Sequence, residues 1–122
     1  MKERVQKHKQ QSLHYFENAL RFIEAGDAEK ASEFLWGSMT QALKAVAANK
    51  DISLKSHESI RKFAYELAFK ALQDESIWMG FKDAQSLHSN FYETGLLLDD
   101  VKLGVQTVRR AVYKLLALVS ES

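Results

Sequence analysis

Apolar residues recur along the chain at three- and four-residue intervals, the spacing of one face of an α-helix. Five such stretches follow one another. The first runs from about Lys2 to Ala25, with Leu13, Phe16, Leu20 and Ile23 as its stripe. Gly26 stands where that pattern stops and suits the left-handed residue beyond a helix end. Asp27 is a good N-cap for a second helix over about Ala28 to Asn49, whose stripe is Ala31, Leu35, Met39, Ala42 and Val46. A polar connection, Lys50 to Lys55, follows. Ser56 then caps a third helix, with Ile60, Phe63, Ala64, Leu67 and Ala71 on its buried face. Asp74 or Ser76 caps the fourth, which carries Ile77, Trp78, Phe81, Ala84, Leu87, His88 and Phe91. Asp99 caps the fifth, with Val101, Val105, Val108, Val112, Leu115 and Val119.

No window alternates with period two between turn signals, so no strand is expected. The connections are short, which favours antiparallel neighbours. The expected fold is all-α: an up-and-down antiparallel bundle of about five helices, in one domain over residues 1–122. Proline is absent, which leaves glycine as the main punctuation. Gly95, like Gly26, falls where periodicity stops. Gly37, Gly80 and Gly104 fall inside helical stretches, where each costs up to ~1 kcal/mol against Ala. Close approach of neighbouring helices is the expected compensation.

Composition narrows the class. A chain of 122 residues with 46% hydrophobic and 27% charged types belongs with folded globular proteins, and can bury one sizeable core. No apolar run reaches the ~18 residues of a membrane span. The opening MKERVQKHKQQ lacks the apolar stretch of a secretory leader, so a cytoplasmic location is expected. Without Cys there is no disulfide, thiolate metal site or thiol nucleophile. Lys+Arg 17 against Asp+Glu 16 gives a net charge of +1, which by itself points to no partner. Locally the balance differs. Lys2, Arg4, Lys7 and Lys9 face only Glu3 in the first ten residues, and Lys102, Arg109, Arg110 and Lys114 flank the fifth helix. Such cations suit contact with phosphate, as they also suit a solvated face.

Signatures of chemistry are few. There is no Gly-rich phosphate loop, no GxSxG elbow and no HExxH. His8, His14, His57 and His88 include no i,i+4 pair that could chelate from one helix face, so neither a metal nor a cofactor is expected. The segment Leu87-His88-Ser89-Asn90-Phe91-Tyr92-Glu93 stands apart, with imidazole, amide, phenol and carboxylate groups in two helical turns. His88, Phe91 and Tyr92 share a face. Such a polar-aromatic ridge suits a binding cleft, a subunit interface, or a core with satisfied hydrogen bonds. Trp36 and His57 are further candidates. His57 opens the third helix with Arg61 one turn later, and two cations there oppose the helix dipole. A bound anion or a nearby carboxylate such as Glu58 would relieve this. The candidate binding or interface residues are therefore Trp36, His57, Arg61, His88, Asn90, Tyr92 and Glu93.

Several blocks resemble the archaeal PaREP-type family: Gly26-Asp27, Ala31-Ser32-Glu33, Leu35-Trp36-Gly37 and Ala42-Leu43-Lys44-Ala45, then Ser56-His57 and the LHxNFYE segment in the same order. The resemblance covers about residues 13–115. That family is similar to the HEPN-like helical superfamily, whose members include ribonuclease toxins and partners of small nucleotidyltransferases. The resemblance implies a helical bundle, usually a homodimer, with a nucleotide, an RNA or a nucleotidyltransferase as partner. HEPN-like ribonucleases carry Arg, four to six residues, then His. Here only three residues separate Arg4 from His8, and no His follows Arg61 before His88. The expectation is thus a dimeric, non-catalytic nucleotide- or nucleic-acid-binding module, linked by the resemblance to defence or toxin–antitoxin systems. The alternatives are a structural protein–protein interaction module and, third, a ribonuclease of altered motif using His57 or His88 with Arg61.

Overall fold

The computed structural model describes residues 2–94 and 98–119, with side chains described over 2–89 and 98–119. The described residues form an all-α bundle of five helices. These are α1 (Glu3–Glu24), α2 (Ala28–Asn49), α3 (His57–Glu66), α4 (Glu75–Thr94) and α5 (Leu98–Ala117). A π-helical turn, Leu67–Ala71, continues α3.

Capping chemistry sets most boundaries. Gly26 takes a positive φ of 77°, and the Asp27 carboxylate accepts from the Lys30 amide to start α2. Ser56 and Ser59 exchange reciprocal side-chain-to-backbone bonds of 3.0 and 3.1 Å at the head of α3. The Asp74 carboxylate accepts from both the amide and the hydroxyl of Ser76 at the head of α4. Asp99 differs from the expectation. Helix α5 already includes Leu98, so Asp99 and Asp100 occupy its first turn, where the macrodipole favours anions. Gly95 lies outside the described residues.

Helix α2 is the centre of the bundle. It packs against α1, α3, α4 and α5 and buries Ala31, Leu35, Met39, Ala42 and Val46 as its spacing predicts. It also buries Ser32, Ser38, Ala45, Ala47 and Ala48, because neighbours cover it on several sides. Small residues permit that crowding. At the α1–α2 crossing the Ser12 hydroxyl donates to the Ser38 carbonyl at 2.7 Å, and the Ser38 hydroxyl donates to the Ser12 carbonyl at 2.9 Å. Both side chains are fully buried, and the reciprocal pair satisfies them. Leu13, expected on the α1 stripe, is 39% exposed. The buried line of α1 instead runs through Val5, Ser12, Phe16 and Ala19, one position round the helix.

Gly37, Gly80 and Gly104 all mark close approaches, as expected, and a Cβ on Gly37 would stand 2.9 Å from the Tyr15 ring. A Cβ on Gly80 would stand 2.8 Å from the Thr107 carbonyl oxygen, and one on Gly104 would stand 2.6 Å from Leu87 Cδ1. Helices α4 and α5 therefore meet nearly backbone to backbone. The Thr107 hydroxyl ties the same crossing to the Asp83 carboxylate.

The pairs α1–α2, α3–α4 and α4–α5 are antiparallel. The α2–α3 step is not a tight reversal. Residues 50–56 form a strap that returns along α2, anchored by buried Leu54, so that His57 comes to stack on Trp36. The π-turn then reaches the far end of α2, where Leu67 and Ala71 line a cleft with Val46, Asn49 and Lys50. Helix α3 thus runs in the same direction as α2. Lys50 and Asp51, the latter at φ 60°, turn the chain at the end of α2, and the five residues 52–56 then cover up to ~17 Å on the way back. The π-turn also moves the register of α3. The Leu72 amide donates to the Leu67 carbonyl five residues back, and Ala68 is buried in place of the expected Ala71.

Candidate functional site

The π-systems of α2, α3 and α4 meet in one continuous cluster. Trp36 projects from the middle of α2. His57 opens α3 and stacks on its indole with centroids 5.3 Å apart; His88 stacks on it from α4 at 5.7 Å. Phe81 tilts against Trp36 at 5.6 Å and links it to Trp78, one helical turn back on α4, at 5.5 Å. Tyr65 and Phe69 meet the Trp78 ring edge-on at 5.5 and 6.0 Å. Such offset and edge contacts satisfy the ring quadrupoles.

The cluster is graded from inside to outside. Phe81 is fully buried, while Trp36, His88 and Trp78 are partly buried. His57 is exposed, Tyr65 is 45% exposed and Phe69 37%. Two cations cover the outer end. The Arg61 guanidinium lies 5.6 Å from the Trp78 ring centroid and the Lys82 ammonium 5.8 Å, both within cation–π range. Neither joins an ion pair among the described residues. An open groove of about 450 Å³ runs past Arg61, Lys62, Tyr65 and Glu66, a size that admits a small ligand.

The polar partner of His57 is not Glu58, which reaches Lys62 at 3.7 Å. Gln85 of α4 supplies it instead. Its side-chain amide donates to His57 Nε2 at 2.8 Å, so that this nitrogen accepts and the ring proton lies on Nδ1.

Among the expected site residues, Trp36, His57 and His88 come together, and Arg61 joins them through Trp78. Asn90, Tyr92 and Glu93 lie on the backbone of α4, and their side chains fall outside the described residues. Six members of the cluster were not among the candidate residues: Tyr65, Phe69, Trp78, Phe81, Lys82 and Gln85. Trp78 and Phe81 were expected on the stripe of the fourth helix, and the other four were not singled out. Helix α4 carries Trp78, Lys82 and Gln85 to the Trp36 side of α2, and the parallel course of α3 brings Tyr65 and Phe69 against Trp78. No group of three or more His, Asp or Glu side chains gathers into a metal site among the described residues.

The model of the Archaeal PaREP1/PaREP8 family matches residues 7–112, which include α2, α3 and α4. The chain belongs to this family. No curated protein matches this PaREP chain. No described helix is long and apolar enough to cross a membrane.

Proposed function

We propose that this PaREP protein is a dimeric, non-catalytic, HEPN-like module that binds a nucleotide or single-stranded nucleic acid on the α3–α4 aromatic face. One observation carries the reading: Arg61 and Lys82 both lie within cation–π distance of the Trp78 ring, with Tyr65 and Phe69 partly exposed beside it. Any base presents a π-face to such rings, and stacking contributes roughly 1–3 kcal/mol per base. The cations answer the phosphates between the bases. Nothing in the arrangement resembles a nucleophile with its base. His57 is held by Gln85 as an acceptor, which suits positioning better than proton transfer.

The test is a fluorescence titration with a short oligouridylate at low and moderate salt. Binding that quenches tryptophan emission and weakens with salt is expected. Arg61→Ala and Lys82→Ala should each weaken it several-fold, and Trp78→Ala should abolish the quench. Affinity unchanged in all three variants would exclude this face.

Exposed apolar groups favour a second reading, an interaction module for a protein partner such as a nucleotidyltransferase. Tyr65, Phe69, Leu72 and Met79 are each between 37% and 52% exposed. On that reading Trp78→Ala alters association with the partner and leaves oligouridylate affinity untouched.

A further inference from the structure

We infer that a second site, a receptor for a phosphate monoester or free phosphate, lies between the α2–α3 strap and the head of α1, lined by Arg4, His8, Lys44 and Lys55. These four residues come from three elements: the first two turns of α1, the last two turns of α2 and the strap. They line an open pocket of about 200 Å³ whose remaining lining is Ala48, Ile52, Ser53 and Leu54. No acidic side chain lines it. The nearest carboxylate along the strap, Asp51, is already engaged by the Lys2 ammonium at 2.6 Å. That bond, with the charge of Lys2, holds the Asp51 carboxyl below its usual range.

Two of the four basic side chains are held in place by uncharged partners. Arg4 donates to the Ser53 hydroxyl at 3.2 Å, and His8 Nδ1 donates to Gln41 Oε1 at 2.7 Å. None of the four joins an ion pair among the described residues. Helix dipoles do not decide the matter, because the positive head of α1 and the negative tail of α2 oppose one another here. The side-chain charges do. Size then selects the ligand. The pocket is smaller than the ~300–1,000 Å³ of sites that enclose a whole drug-sized ligand. It matches a compact multivalent anion, and guanidinium and ammonium groups bind a phosphoryl group through charge-assisted hydrogen bonds.

The experiment measures thermal melting of the intact protein in sodium phosphate and in sodium chloride at equal ionic strength and pH. A midpoint that rises with phosphate concentration and not with chloride is expected, as for a ligand that binds only the folded state. Arg4→Gln combined with Lys44→Gln should weaken the apparent affinity by about tenfold or more. Lys55→Gln, on the exposed strap, tests the same point should the double variant fail to fold. Trp78→Ala should retain the full phosphate response, which separates this site from the aromatic face. Adding oligouridylate with a 5′-phosphate or a 5′-hydroxyl then identifies the source. Competition by the 5′-phosphate form alone assigns the site to a nucleic-acid end, and competition by neither assigns it to a small phosphate. Equal melting in phosphate and chloride, or a phosphate response unchanged in the Lys55→Gln protein, would overturn the proposal.

Discussion

The Trp36 indole and the His57 imidazole stack with their planes 22° apart, tying the middle of α2 to the first residue of α3. This contact fixes where the returning strap ends. It also holds α3 at the height where Arg61 meets Trp78. Ring pairs of this kind contribute roughly 0.5–1.5 kcal/mol beyond their buried area. His57→Ala should therefore lower stability by about 1 kcal/mol in urea. In a Trp78→Phe background, which isolates Trp36, the emission should shift to longer wavelength. Unchanged emission would show that His57 does not shield the indole.

Gly80 tests the α4–α5 contact. Alanine would gain up to ~1 kcal/mol of helix propensity. Its Cβ would also press on the Thr107 carbonyl at 2.8 Å and on Ala111, and backbone cannot move aside as a side-chain tip can. Overpacking costs ~1–3 kcal/mol and should win. Chemical denaturation of Gly80→Ala is expected to give a net loss of about 1–2 kcal/mol. A more stable variant would show that the helices are not in backbone contact.

The Asp74 carboxyl is lowered to about 2, first by the hydrogen bond from Lys114, then by those from Ser76. A folded-state value below the unfolded one stabilises the fold above the unfolded value, near 4, and loses that contribution as pH falls toward 2. Both partners are partly exposed, with side chains 31% and 46% accessible, so the contribution is no more than about 1 kcal/mol. Wild type should melt above Asp74→Asn at pH 6, and the difference should close between pH 4 and pH 2. A difference that persists at pH 2 would assign it to the cap alone.

Light scattering at tens of micromolar should give twice the chain mass. The exposed rings of Tyr65 and Phe69, with Met79 on α4, supply more apolar surface than one core stripe needs. A single species of one chain mass would remove the dimer from the proposal.

Structured RNA should remain intact with the pure protein. No Arg stands the required distance before a His in the chain, and His57 Nε2 is engaged by Gln85. Cleavage that disappears in His57→Ala or His88→Ala would promote the ribonuclease reading.

Much of the fold was legible because helical periodicity and capping are local. Asp27, Ser56 and Asp74 each cap as their side chains dictate, and the valines of α5 are buried together. The direction of α3 was not legible. A polar segment such as 50–56 reads alike whether it turns or returns, and only the stacking of His57 on Trp36 decides. The slip from Ala71 to Ala68 had no signal either, since a π-turn preserves composition and changes only register. At the site, Trp36, His57 and His88 stood out one by one. Their convergence with Trp78 and Gln85 is a product of packing between helices far apart in sequence.

The course of the strap also orders assembly in time. Helices α1 and α2 close on each other across one tight turn, and α4 and α5 are close in sequence and pack on each other, so both pairs rest on local contacts and should form fast. Helix α3 with its π-turn spans only 57–71, a length at which an isolated helix is marginal in water, and residues 52–56 separate it from the turn that ends α2. It gains its partners only once Trp36 and the start of α4 are in place. The aromatic face should therefore be the last surface of the protein to be completed.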